Sequence, residues 1–162
     1  MKTETVNGKK NRLAFVARFL AAFAPLFLLV EWVRLPALYE TIAHLEATLL
    51  SATNLPATAT GSIITTTAGA FEITAECTGL AMAAMLASLL FASRNEKQLK
   101  WLAAGTAFLL AFNLLRLYAT LATGAAFGQG ALEIVHPALW FVDAAAVVAV
   151  WAKAEGIYLK PH

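Results

Sequence analysis

Three residue types at wide spacing suit one chemistry in this sequence: Cys77, Arg116 and His136. A thiol attacks as its thiolate, and a nearby guanidinium or protonated imidazole favours that form. Histidine moves protons near neutral pH. When sulfur adds to a carbonyl, negative charge builds on oxygen, and a guanidinium in a poorly solvated site stabilises it strongly. The set therefore suits cysteine acyl transfer. Supporting positions are Asn113, Asp143 and Gly79. Asn113 lies three residues before Arg116, on the same helical face. Asp143 reads as a buried counter-ion of Arg116 or a partner of Asn113. Gly79 permits close helix packing or backbone approach. Each residue also has a plainer explanation. A cysteine at a helix end is often a small packing residue, and a histidine before a proline is often a solvated helix-start residue. One cysteine and one well-placed histidine fall short of the usual zinc set, since His44 and His162 lie elsewhere. No metal and no cofactor are expected.

The elements that must position these groups belong in lipid. Hydrophobic residues make up 60% of the chain and charged residues 14%. A soluble domain of 162 residues carries more charge than that. A net charge of +2 is too small to argue for nucleic acid. Four stretches, residues 13–33, 77–93, 101–123 and 134–152, approach the ~20 residues that cross a bilayer as helix. The first is not expected to be a cleaved leader: its apolar run continues past "AAFA" to Val30, and Pro25 would follow the scissile bond. It reads as a retained anchor.

Lysines orient the spans. They fall in the N-terminal tail 1–12, the loop "RNEKQLK" and the C-terminal tail 153–162. Those segments are expected in the cytoplasm. The segment 34–76 and the loop "GAAFGQGALE" hold Arg34 as their one basic residue and are expected outside. From Pro36 to Thr53, Leu38, Ile42, Leu45 and Leu49 recur at helical spacing. They predict an amphipathic helix in the outer interface or packed on the bundle. β-branched residues around Ala68-Gly69 predict a short hairpin near residues 63–73. The fold expected is a single all-α polytopic membrane domain, residues 1–162, with four transmembrane helices, an outer amphipathic helix and that hairpin. Arg18 is expected to snorkel to headgroups. At ~1.5 Å rise per residue, Arg116 lies ~10 Å and His136 ~3 Å below the outer edge. Asp143 lies about two turns deeper than His136, level with Asn113 and Arg116. Cys77 is expected to open the second helix at that edge, so thiol, guanidinium and imidazole share one layer. Glu76 would oppose a thiolate if turned inward, and is expected to face water or Arg34.

Three stretches then resemble a known family. "ECTGL" at 76–80, "NLLRLY" at 113–118 and "IVHPALWF" at 134–141 are similar to motifs of the exosortase/archaeosortase family. The similarity runs from about residue 71 to 151, with a weaker echo in the first helix, and fits a compact member. The resemblance implies a multi-pass membrane cysteine transpeptidase or peptidase. Cys77 falls on the family cysteine, Arg116 on the arginine, His136 on the histidine and Asn113 on the accompanying asparagine. Its partners would be membrane-anchored proteins with a C-terminal sorting tail. Cys77 would attack a peptide carbonyl at the outer face of the cell (inner) membrane. His136 would protonate the leaving amine, and Arg116 would hold the oxyanion or orient the thiolate. The thioester would pass to an amine, a hydroxyl or water. The competing reading is a non-catalytic helical subunit of a membrane complex, with Arg116–Asp143 as a structural ion pair.

Overall fold

The computed structural model describes residues 2–94 and 96–157. Asn95 of the "RNEKQLK" loop, and Lys160 and His162 of the C-terminal tail, lie outside them. Among the described residues, three helices are long and apolar enough to cross a membrane: residues Asn11–Trp32 within α1 (Lys2–Trp32), α4 (Gln98–Phe127) and α5 (Gln129–Ala154). Their mean hydropathies are 2.3, 1.5 and 1.7. A helix satisfies its own backbone, which is why lipid selects it.

The fourth apolar stretch is shorter than the sequence suggests. Its helix, α3, covers Leu80–Ser93, 14 residues, or about 21 Å of rise. A hydrocarbon core is ~30 Å thick. The stops are local: Gly79 and Arg94 at its two ends are both left-handed, with φ of 76° and 57°. The helix packs against α1, α4 and α5. Its Met82, Leu86, Leu89 and Leu90 share a buried cluster with Leu109 and Val147. It is thus the hub of the bundle.

The connection expected at residues 124–133 is absorbed into helix. α4 runs to Phe127, α5 begins at Gln129, and Gly128 alone turns the chain at φ 88°. The flanking residues are mainly alanine and other helix-tolerant types, and Gly124 and Gly130 are carried within the two helices. His136 consequently lies inside α5, followed by an internal Pro137, whose missing N–H leaves the Glu133 carbonyl without its helical donor.

Between α1 and α3 sits a cap. Helix α2 (Pro36–Ala52) starts with proline at its first turn, a favourable place for a residue with fixed φ and no donor. A three-stranded antiparallel meander follows: β1 (Ala57–Thr60), β2 (Ile63–Thr66) and β3 (Gly69–Glu72). Strands β2 and β3 pair from Ile63↔Glu72 to Thr66↔Gly69, which is the hairpin expected near 63–73. The "ATAT" strand β1 adds a third member. Ile64 and Ile73 of this region pack with Ile42, Ala43, Ala47 and Leu50 of α2 and with Leu117 and Leu121 of α4.

That packing corrects the expected face of α2. Leu45 and Leu49 are exposed, while Ile42, Ala43, Glu46, Ala47 and Leu50 are buried. The two alanines let the sheet and α4 approach closely, and the larger leucines turn outward. The price is Glu46, with 0% exposure and, among the described residues, no hydrogen-bond partner at either carboxylate oxygen. Burial pushes its pKa from 4.5 up to about 7. Below pH 4.5 the carboxyl is neutral whether folded or unfolded. Between there and about 7 the unfolded group ionises first, so stability falls with rising pH and the loss is complete above the folded pKa. The total is about 3 kcal/mol. Melting of the solubilised protein should therefore be lower at pH 8 than at pH 5. Glu46→Gln should flatten that dependence; an unaltered pH slope in this variant would show that Glu46 is not its source.

Candidate functional site

Cys77 does not open α3. It sits just before it, in a 3-10 turn spanning Ala75–Thr78. Its N–H donates to the Thr74 carbonyl at 3.0 Å. Thr78 closes the turn, its Oγ1 donating to the Ala75 carbonyl at 2.6 Å and accepting from the Leu80 N–H at 3.3 Å. The turn ends because Gly79 is left-handed, a conformation that costs an L-residue ~1–2 kcal/mol.

Asn113 ties this turn to the bundle. It is 1% exposed, and its Nδ2 donates to the Cys77 carbonyl at 2.7 Å. Its Oδ1 accepts from Arg116 Nη1 at 3.2 Å. The same Nη1 lies 3.3 Å from Asp143 Oδ2. One polar chain thus runs from the Cys77 backbone through two residues of α4 to α5. Arg116 and Asp143 are both buried, as charges in an apolar bundle must be when paired. A Cβ at Gly79 would meet Asn113 Cβ and Cγ at 3.1 Å. Gly79→Ala should therefore both strain the turn and push Asn113 away. The expected cost is about 2 kcal/mol, with processing reduced, read from melting temperature and reporter cleavage.

The thiol itself points elsewhere. Cys77 is half-buried and packs beside the cap cluster. Its Sγ lies 3.7 Å from Thr74 Oγ1. No hydrogen bond joins it to Arg116 or His136 among the described residues. His136 is half-buried, with its ring edge-on to Trp140 at 5.5 Å between centroids. The structure therefore joins Asn113, Arg116, Asp143 and the backbone of Cys77 directly, and leaves His136 on the helix that carries Asp143 with Trp140 as its ring partner. It does not join the sulfur to them.

A cavity of about 320 Å³ lies beside this chain. Phe23 and Phe27 of α1, Met82 and Met85 of α3, and Trp140 and Val147 of α5 give it apolar walls. Gly79, Asn113, Arg116 and Asp143 also line it. Glu31 and Glu76 border both this cavity and a larger cleft of about 720 Å³, whose lining includes Arg34, Tyr39, Glu72 and Thr74. Glu76 is exposed and shares that cleft with Arg34, while also bordering the cavity. Thr74 and the α1 wall were not marked by sequence reasoning. Thr74 stands three residues before Cys77, a spacing that offered a signal; Phe23 and Phe27 look like any lipid-facing residues. Among the described residues no group of three or more His, Cys, Asp or Glu is placed to hold a metal ion.

The family model for transmembrane exosortases (Exosortase_EpsH) matches residues 9–152. No curated protein and no solved structure matches the chain.

Proposed function

The chain belongs to the transmembrane exosortase family, and on that premise we propose that it cleaves the C-terminal sorting tails of exported membrane-anchored proteins by acyl transfer through Cys77. Both termini face the cytoplasm in this reading, as the lysine distribution favours, and the site faces the opposite side. The observation that carries it is the polar chain Cys77–Asn113–Arg116–Asp143. It holds a thiol-bearing turn in fixed relation to a buried guanidinium at the edge of a cavity, with an imidazole about two turns from Asp143 along α5.

The chemistry follows from these positions. The Cys77 thiol leaves Thr74 by rotation about its Cα–Cβ bond and turns to the cavity. Its proton passes to His136, and the resulting thiolate adds to a substrate carbonyl carbon. The electron pair moves to oxygen, and Arg116, with Nε and Nη2 unengaged, donates to that oxyanion. The C–N bond breaks as the electrons return, and His136 delivers a proton to the departing amine. The thioester on Cys77 then passes its acyl group to an amine, a hydroxyl or water, with His136 taking the proton back. The apolar walls keep bulk water from the intermediate.

One observation favours the competing non-catalytic reading: the sulfur is paired with Thr74 and lies against the cap cluster. Trapping the intermediate separates the two. The chain is co-expressed with a reporter ending in a short motif, an apolar helix and a basic cluster, and membranes are treated with hydroxylamine. A thioester enzyme yields a hydroxylamine-labile adduct on Cys77 and a reporter hydroxamate. A structural subunit yields neither, and that result would sink the catalytic reading.

A further inference from the structure

We propose that Asp143 reads a backbone N–H of the substrate beside the carbonyl held by Arg116, so that the cavity selects a neutral amide edge over a carboxylate. This rests on the reading of the cavity as the seat of the substrate chain. Among the described residues, three polar atoms next to it lack partners: Arg116 Nε, Arg116 Nη2 and Asp143 Oδ1. Nη1 is the guanidinium nitrogen already used, by Asn113 and Asp143 Oδ2. Nε and Nη2 form one edge of a planar fork, which takes two lone pairs of a single planar acceptor group.

A free arginine fork alone would favour a carboxylate. Here its charge is already compensated by Asp143, and the second aspartate oxygen still needs a donor. A carboxylate ligand would bring a further negative charge to Asp143 and to the nearby Glu31 and Glu76, and its oxygens carry no proton to donate to Oδ1. A neutral group with one acceptor and one N–H on the same edge satisfies all three atoms. In an extended peptide each residue presents its own N–H and C=O on one side, and so offers that edge. None of the three atoms is solvent-exposed, so a ligand meets them as lining side chains give way. Met82 and Met85 are unbranched and repack readily. Asp143 is in this account a positioning residue: it sets the register of the chain while Arg116 holds the carbonyl.

The test is a binding titration with the full-length chain in lipid nanodiscs, carrying 5-fluorotryptophan. The fluorine resonance of Trp140, assigned with Trp140→Phe, reports the cavity. The probes are N-acetyl-leucine N-methylamide, the same compound methylated on the leucine nitrogen, and N-acetyl-leucinate. The wild type is expected to bind the first about tenfold more tightly than either of the others, since each lacks one needed partner or adds charge. Asp143→Asn keeps the shape and removes the compensating charge, so the order should invert and N-acetyl-leucinate should bind best. A purely structural role for Asp143 would lower stability without inverting the order. Equal or tighter binding of N-acetyl-leucinate by the wild type, indifference to the leucine N–H, or no binding of any probe would overturn the proposal. The N-methyl comparison needs no variant at position 143. Cys77→Ala protein should give the same order. A failed thioester trap with this order intact would therefore remove the catalytic reading and leave the amide site standing.

Discussion

Cys77→Ala is expected to abolish processing of a sorting-tail reporter and leave the fold in place. No other cysteine is available, since the chain has one, so no neighbouring thiol can substitute. Loss of a covalent nucleophile costs at least about a thousandfold in rate. The structural cost is small by comparison. Cys77 is half-buried, and the contacts that fix its turn are made by its backbone, through Thr74 and Asn113. Removing one sulfur from such a position costs about 1 kcal/mol or less. Cys77→Ser sharpens the result. Serine puts a slightly smaller hydroxyl at the same place, and an alcohol stays protonated where a thiol ionises. Both variants should therefore insert, melt near the wild type and leave the reporter intact on an immunoblot. Wild-type processing by either would show that the sulfur is not the nucleophile, whatever the family does elsewhere.

Much of this architecture was legible because lipid enforces simple rules. Long apolar runs had to be helices, and the β-branched residues around Ala68-Gly69 had few alternatives to a hairpin. The depth estimate that placed Asp143 level with Arg116 needed only the helical rise, and the two lie 3.3 Å apart. Boundaries were less legible, for physical reasons. The loop "GAAFGQGALE" has a turn-like composition, yet alanines on either side of Gly128 continue helix at little cost, and the chain reverses on one residue. Cys77 was expected to open α3 because nothing in the local apolar pattern shows the left-handed backbone of Gly79. The packed face of α2 was misread for a different reason. Hydrophobicity favoured Leu45 and Leu49, but close packing favoured Ala43 and Ala47 and brought Glu46 inside with them. A buried carboxylate without a partner has no sequence signature. The direction of the Cys77 side chain is likewise invisible to spacing, because it depends on Thr74 and on the cap that α2 and the sheet build.

Arg116 and Asp143 should show the largest stability effects in the molecule, and they should not add. The pair is buried, 5% and 8% exposed, with a 3.3 Å contact. Removing one partner of such a pair costs ~3–5 kcal/mol, because a charge is left behind in an apolar bundle. The two single variants should differ. After Arg116→Leu the remaining carboxylate can be neutralised by a proton, whereas after Asp143→Leu the guanidinium cannot lose its charge. Asp143→Leu is therefore expected at the upper end of that range and Arg116→Leu at the lower. The double variant leaves no charge to compensate, and two leucines suit the surroundings of Met82, Met85 and Val147, so it should recover most of the loss. A coupling of at least about 2 kcal/mol between the sites is expected, measured by reversible unfolding in micelles. Additive losses would mean that the ion pair contributes little and that each residue acts through separate contacts. Stability and activity should part company in the double variant: a chain restored in fold but still unable to process its reporter would show that the pair is kept for the substrate rather than for the bundle.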